Sequence, residues 1–465
     1  MQCVDLSAVF GPAVHYPNTD NFTIWDAKQQ EVHPACRVEP YNASDVAHVL
    51  EILVGNWCYF SVKGGGHSRN PGDSNSIGGV TVDLGQIRNI EISEDRSRAR
   101  IGGGATTFQV YQALESQNLS FVGGRVGTVG VGGFTLGGGT SPFSNKYGWA
   151  LDNVYEYEVV LANSTITTAS NFENPDLYFA LRGGGNNFGI VTSFTVRTFN
   201  QGAVFTSIST YSNNQTDQVL DEVYDLYTAD NLTSDVEMGY DLYYTYSFEN
   251  DNFTLAGTQR YGKALQNPSV FHSIDRIPPL TRTTTISTMS SLVNDPGPLG
   301  TVRHLFATLT VFPSRSLLTR GIQIFRQEVE AIKDVQGLVP NFICYPIQRN
   351  AIAAMKRNGG NALGIDRDGP LFIILISTAW SNKRDDAAVE RMTGNVIRRL
   401  QAVAEDIGVG HRYIYINYAS AAQADGIFSG YGEDNAQRLR VIQRAVDPYG
   451  VFTLRGLWRG FMKLQ

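Results

Sequence analysis

Twenty-four of the chain's 47 glycines fall between positions 61 and 190, within a sequence of 465 residues. They alternate with Val, Leu and Ile rather than with the polar residues of a linker. Glycine used this way marks ordered backbone that comes close to another group with no side chain between. The rest of the composition supports an ordered protein: 42% hydrophobic and 11% aromatic residues, enough for two or three domains with a sizeable core. Lys and Arg total 37 against 44 Asp and Glu, a net charge of −7. That balance argues against a nucleic-acid partner and against a basic membrane-surface helix. The longest apolar run, Leu371–Trp380, is about half the roughly 20 residues a membrane-spanning helix needs.

Cys3, Cys36, Cys58 and Cys344 form no CxxC and have no His at metal-ligand spacing, so no metal site is expected. Asn-x-Ser/Thr sequons occur at Asn21, Asn42, Asn118, Asn163, Asn214, Asn231 and Asn252. They point to N-glycans and the secretory pathway. No signal peptide precedes Cys3, and the expectation is that a native leader has been removed and Met1 added. In an oxidising compartment Cys3 can pair with Cys58 or with Cys36.

Along the chain, Ser44 suits the N-cap of a helix that ends at Gly55. Strands are expected at Tyr59–Val62, Gly79–Leu84, Ile90–Ser93, Ala99–Ile101, Asn153–Leu161 and Ile190–Val196. Thr106 or Thr107 caps a helix burying Phe108, Tyr111 and Leu114, and Pro175 opens another. Beyond about residue 200 glycine thins. Amphipathic helices follow at Leu317–Ile332 and Asp385–Ile407, with strands at Leu305–Val311 and Leu371–Thr378. A Tyr-rich segment, Tyr413–Tyr418, alternates like a strand. A charged helix closes the chain from Glu433 to Val446.

Two glycine segments carry the chemistry. Lys63-Gly64-Gly65-Gly66-His67-Ser68 follows a strand, and three successive glycines can aim main-chain N–H groups into one anion-binding concavity. A neutral imidazole placed directly after it is a competent nucleophile. The second segment, Gly123 to Ser141, offers bare main chain along which a long ligand with a flat ring can lie. Neither segment is a GxGxxG dinucleotide fingerprint or a GxxxxGK[ST] phosphate loop.

Lys-Gly-Gly-Gly-His-Ser, Gly79–Leu84 and Thr-Val-Gly-Val-Gly-Gly with Gly-Gly-Gly together resemble the berberine bridge enzyme-like flavoproteins of the vanillyl-alcohol oxidase superfamily. Tyr147-Gly148, Asp152-Asn153-Val154, Asp176-Leu177, Arg182-Gly183-Gly184-Gly185, Phe188-Gly189-Ile190-Val191, Tyr415-Ile416-Asn417-Tyr418 and Asp447-Pro448 continue the match in order. The chain looks most like the fungal secreted branch. The resemblance implies an α+β fold, with a two-subdomain PCMH-type FAD-binding domain over residues 1–204 and an α+β substrate domain over 205–410. The latter would be an antiparallel sheet backed by helices, with residues 411–465 returning to the FAD domain.

It further implies covalent FAD on His67, with Lys63, Gly64, Gly65, Gly66 and Ser68 at the pyrophosphate. Gly127, Thr128, Val129, Gly132, Gly133, Gly137, Gly189, Ile190, Val191 and Asn417 would line the cofactor. Family members with a second, thioether link carry Cys where this chain has Val126, so a single link is implied. Val129 occupies the position where valine accompanies oxidases, which implies reaction with O2 to give H2O2. Tyr415 matches the tyrosine base of sugar-oxidising relatives, although a phenol with an ordinary pKa of about 10 needs help to act as one. The remaining histidines, His304 among them, read as structural. The expected substrate is a small secondary-metabolite alcohol, amine or polyketide, with ring closure coupled to oxidation. An oligosaccharide oxidase forming lactones, and a non-redox cyclase with structural FAD, are the competing readings. Substrate identity, the base's partner and oligomeric state are not legible.

Overall fold

The computed structural model describes residues 2–228, 235–295, 297, 299–453, 456–460 and 462–464. The sequon at Asn231 lies outside the described residues. The first lobe holds a four-stranded sheet in the order Val14–His15, Cys36–Val38, Val80–Asp83, Phe60–Lys63. Its last three strands are parallel. The helix Ala43–Gly55 covers it with Val46, Val49, Leu50 and Leu53 buried. Asn42, not Ser44, caps that helix, its carboxamide oxygen accepting the Asp45 N–H. Both residue types cap well, and the acceptor two residues earlier lets the chain turn onto the sheet.

An antiparallel five-stranded sheet follows, ordered Ile90–Ile92, Arg98–Gly102, Ile190–Arg197, Val154–Val160, Ile166–Ser170. Helix Thr107–Glu115 begins at a Thr106/Gln109 capping box, as expected from the sequence. Inside the second glycine segment a short helix, Val131–Leu136, forms where only loop was expected. Its small residues bring it against other backbone.

The second lobe is one antiparallel sheet of seven strands. Its order is Thr281–Ser287, Val204–Tyr211, Asn252–Tyr261, Met238–Ser247, Val339–Ile347, Leu371–Trp380, Arg303–Val311. Strand alternation sends Leu242, Tyr244, Phe342, Cys344, Phe372 and Ile374 to one face. There they pack under helices Thr216–Thr228, Arg315–Glu330 and Asp386–Asp406. Tyr243, Ile343, Tyr345, Leu371, Ile373 and Leu375 point the other way, into the core shared with the first lobe. Both faces of the interior strand Leu371–Trp380 are therefore covered, which explains its unbroken apolar run. The Tyr413–Tyr418 segment is not a strand; it ends in a single 3-10 turn, Ile416–Tyr418, and packs against the glycine-rich lobe.

Of the two pairings open to Cys3, the chain forms Cys3–Cys36; Cys58 and Cys344 are free and buried. The bridge spans a sequence separation of 33 and ties the N-terminal helix Gln2–Phe10 to the first sheet. Replacing Cys36 by Ser is expected to destabilise this lobe by about 3–4 kcal/mol through the loop it releases. Guanidinium unfolding followed by the fluorescence of buried tryptophan tests this, and an unchanged midpoint would contradict it.

Candidate active site

Four stretches of bare backbone converge. A Cβ on Gly65 would lie 2.4 Å from Gly130 Cα, and one on Gly130 would lie 2.3 Å from the Gly65 nitrogen. Gly103 joins them: its Cβ would meet the Val191 carbonyl at 2.5 Å, and a Cβ on Gly132 would meet the Gly103 carbonyl at 2.9 Å. The segments are also laced by hydrogen bonds, Val131 N–H to the Ala105 carbonyl and Thr107 N–H to the Val129 carbonyl, both 2.9 Å. Gly64, Gly65, Gly103, Thr128, Gly130, Gly132 and Val191, far apart in sequence, thus meet in one cradle, whereas Gly127 packs on the Val293 carbonyl and Gly66 on Ile24 and Lys63. Gly133 has nothing within 4 Å of a built Cβ, so packing does not require glycine there. Gly189, at φ +145 against the Val160 carbonyl, turns the chain into the strand behind the cradle.

His67 stands at the end of the first glycine turn. Its ring stacks on Trp25 with centroids 3.7 Å apart, and Trp25 stacks in turn on His304 at 3.9 Å. His304 is held by Asp26, whose carboxylate lies 3.1 Å from Nδ1 and accepts the His304 backbone N–H at 2.7 Å. His304 thus stands one ring away from His67, across Trp25, a placement the sequence does not show. It lies 237 positions from His67 in sequence (304 − 67), so no local pattern could show it. His67 Nε2 is buried and has no hydrogen-bond partner. Burial, then the charge of Arg69 and the neighbouring His304, pull the imidazole down to about 3. His67 is therefore neutral at physiological pH, the state a nitrogen nucleophile requires.

The neighbours of His67 divide between cradle and scaffold. Ser68 donates to Asp73 at 2.5 Å, and Asn70 donates to the same carboxylate at 3.1 Å. Burial nevertheless pushes Asp73 up to about 7. Lys63 is committed to Asp83 at 2.9 Å. Arg69, which the sequence reading passed over, lies over the Phe306 ring at 4.2 Å and donates to the Asn417 carbonyl. It thereby ties the histidine turn to the Tyr415–Tyr418 segment.

Tyr415 is buried, and its phenol oxygen accepts three hydrogen bonds: from the Gly139 N–H at 3.0 Å, the Thr140 N–H at 3.2 Å and Asn417 Nδ2 at 3.0 Å. Three donors on one oxygen favour negative charge there. Burial and the adjacent Tyr418 outweigh them and hold the phenol at about 12. Asn417 also donates to the Phe134 carbonyl at 2.9 Å, and a Cβ on Gly137 would collide with it. Asn417 therefore locks Tyr415 onto the helix Val131–Leu136. Tyr418 is half-buried and packs on both Tyr415 and Tyr345, with ring centroids 4.7 and 5.8 Å away. Val129 is half-buried and Val126 is 45% exposed.

Several motif residues are architectural. Arg182 is wholly buried and donates to the carbonyls of Leu151, Arg357 and Asn358. Asp447 accepts the backbone N–H groups of Val451 and Phe452.

This arrangement fits FAD: a side-chain-free cradle, and an orphaned neutral imidazole nitrogen at its edge. Residues 34–170 match the family model described as an FAD binding domain. The FAD-dependent monooxygenase tpcD of Cochliobolus heterostrophus is 36% identical over 461 residues, covering 94% of this chain and 88% of that protein. Among solved structures, a variant of berberine bridge enzyme superposes with a TM-score of 0.81 at 14% identity, covering 100% of both chains. The glucooligosaccharide oxidase of Acremonium strictum, described as carrying a 6-S-cysteinyl, 8α-N1-histidyl FAD, superposes with a TM-score of 0.79 at 20% identity, covering 100% of this chain and 99% of the other. The α+β fold is that of berberine bridge enzyme and the PCMH-type FAD oxidases, and the chain belongs to the FAD-dependent oxidoreductases that carry this FAD binding domain.

Proposed function

We propose that this enzyme is an oxidase of a small secondary-metabolite alcohol, amine or polyketide, with FAD bonded to His67 alone. The observation that carries this reading is the buried, neutral, unpartnered His67 nitrogen beside the Gly65–Gly130 cradle. When bound, FAD supplies a two-electron acceptor for substrate hydride and a route from there to O2. The chain's own part is to hold, orient and deprotonate. Glycine backbone at 64–66, 127–133 and 189–191 carries the cofactor, with Ser68 at its edge. The Trp25–His304 stack keeps the imidazole in one orientation. On this reading residues 1–204 and 411–465 hold the cofactor and 205–410 cover the substrate.

Tyr415 is the base for substrate deprotonation. Its three donors favour the phenolate, but burial holds the phenol up at about 12, so the role requires bound substrate and cofactor to bring that value down. Val129 leaves room for O2, so the second product is H2O2. A monooxygenase, as tpcD is named, would instead send an oxygen atom into the product. A peroxidase-coupled assay run with labelled O2 separates the two. One H2O2 per substrate consumed and no label in the product supports the oxidase; labelled product overturns it.

N-glycosylation and passage through the secretory pathway belong to the same proposal. The Cys3–Cys36 bridge suits an oxidising compartment. The six described sequon asparagines, Asn21, Asn42, Asn118, Asn163, Asn214 and Asn252, are all exposed.

Acid precipitation of the wild-type protein is expected to give a yellow pellet, and His67→Ala a colourless pellet with any flavin in the supernatant. Because burial holds His67 near 3, flavin attachment to apoprotein should proceed at the same rate at pH 5 as at pH 8. An ordinary imidazole would slow it below about pH 6.5. Tyr415→Phe should lower kcat by about 10²–10⁴ with flavin content unchanged. A Phe variant of wild-type kcat would remove Tyr415 from the chemistry.

A further inference from the structure

A cavity lies between the end of the second glycine segment and the inner face of the seven-stranded sheet. Arg125, Thr140, Trp149, Asp241, Arg260 and Tyr345 are among its lining residues. It adjoins the proposed base, since Thr140 donates its N–H to Tyr415 and Trp149 packs on the Tyr415 ring at 5.0 Å.

The charges in this chamber do not balance. Arg260 Nη1 pairs with Asp241 Oδ2, and Arg125 Nε lies 3.3 Å from the same oxygen. The Asp241 side chain is 2% exposed, those of Arg125 and Arg260 18% and 21%. Asp241 is the single acid among the lining residues, so two guanidinium groups share one carboxylate. Arg125 spends its terminal nitrogens on the carbonyls of Thr140 and Ser141 and on the Thr140 hydroxyl, and lies over the Tyr345 ring at 4.9 Å. Its Nε is buried and makes no directed hydrogen bond. Holding a surplus positive charge in a secluded site is unfavourable unless an anion completes it, and a guanidinium fork suits a planar oxyanion.

We propose that Arg260 binds an anionic oxygen group of the substrate, with Arg125 adding positive charge from its fixed place, so that the molecule oxidised is an organic acid or an acidic enol presented as its anion beside Tyr415. The substrate assignment rests on the oxidase reading above; anion binding to the chamber does not. Asp241 is on this view a charge-setting residue. It holds both arginines in place and leaves a net positive charge of one.

The test is calorimetric titration of the purified holoenzyme with benzoate, with dimedone as an acidic enol, and with benzamide as the neutral shape-match of benzoate. One or both anions should bind, and benzamide at least about tenfold more weakly, the scale of a lost charged hydrogen bond. Binding by benzoate alone assigns a carboxylate, and by dimedone alone an enolate. Arg260→Met should weaken the bound anion about tenfold or more. Asp241→Asn should tighten it, because it removes the competing carboxylate and keeps both cations. A purely structural pair would not respond with opposite signs. Circular dichroism and thermal unfolding confirm that each variant is folded. Equal binding of benzamide and benzoate, no binding of either anion, or an unchanged affinity in folded Arg260→Met overturns the proposal. Flavin content of the same samples keeps the two readings apart. A flavin-loaded protein that ignores both anions refutes the anion site alone, and a flavin-free protein that binds them refutes the oxidase reading alone.

Discussion

Gly65 and Gly130 touch backbone to backbone, and almost everything distinctive about this protein depends on that contact. A methyl group on either would lie 2.3–2.4 Å from main-chain atoms of the other, a distance no side-chain rotation can relieve. Because these atoms are main chain, they cannot move without dragging the strand Phe60–Lys63 or the helix Val131–Leu136 with them. The contact therefore sets how the four-stranded sheet meets the glycine segment Gly123 to Ser141, which follows helix Thr107–Glu115. Gly103 and the start of the strand Ile190–Arg197 complete the joint. A ligand laid on this surface meets N–H and C=O groups rather than side chains. That suits a large flat cofactor better than a small charged one.

The same geometry explains the state of His67. Its turn ends where Trp25, backed by His304, closes over it, so the ring is desolvated and feels the charge of Arg69. Desolvation and like charge both disfavour imidazolium. Asp26 fixes His304, His304 fixes Trp25, and Trp25 fixes the His67 ring. The order of this stack comes from the second lobe, since His304 lies on the sheet-edge strand Arg303–Val311. One lobe supplies the imidazole and the other orients it.

The second lobe also decides where charge accumulates. Its sheet presents apolar residues to its helices, while Asp241, Tyr243, Arg260 and Tyr345 line the side facing the glycine-rich lobe. The Tyr-rich stretch 240–246 divides between these faces by simple alternation. Tyr240, Tyr244 and Tyr246 pack with the helices, which takes them out of any open sugar-binding groove. Tyr243 joins the chamber side and reaches Asp241.

Much of this was legible in the chain. Glycine density marked ordered backbone built to approach a ligand, because close backbone approach is open to the residue with no side chain; the fold family and the cofactor came from the resemblance that the ordered motifs carry. Helix and strand limits followed from capping residues and apolar spacing, with errors of one or two residues where two good caps competed, as at Asn42 and Ser44. The Tyr413–Tyr418 segment was misread because a period of two also fits tyrosines wedged between lobes, and periodicity carries no information about which neighbours a side chain finds. Tertiary structure alone chose Cys36 over Cys58 as the partner of Cys3. It alone placed His304 beside His67 and set Arg125, Asp241 and Arg260 around one cavity. Those groups lie on separate strands and loops, and electrostatic and stacking forces act through distances in space that no spacing along a sequence encodes.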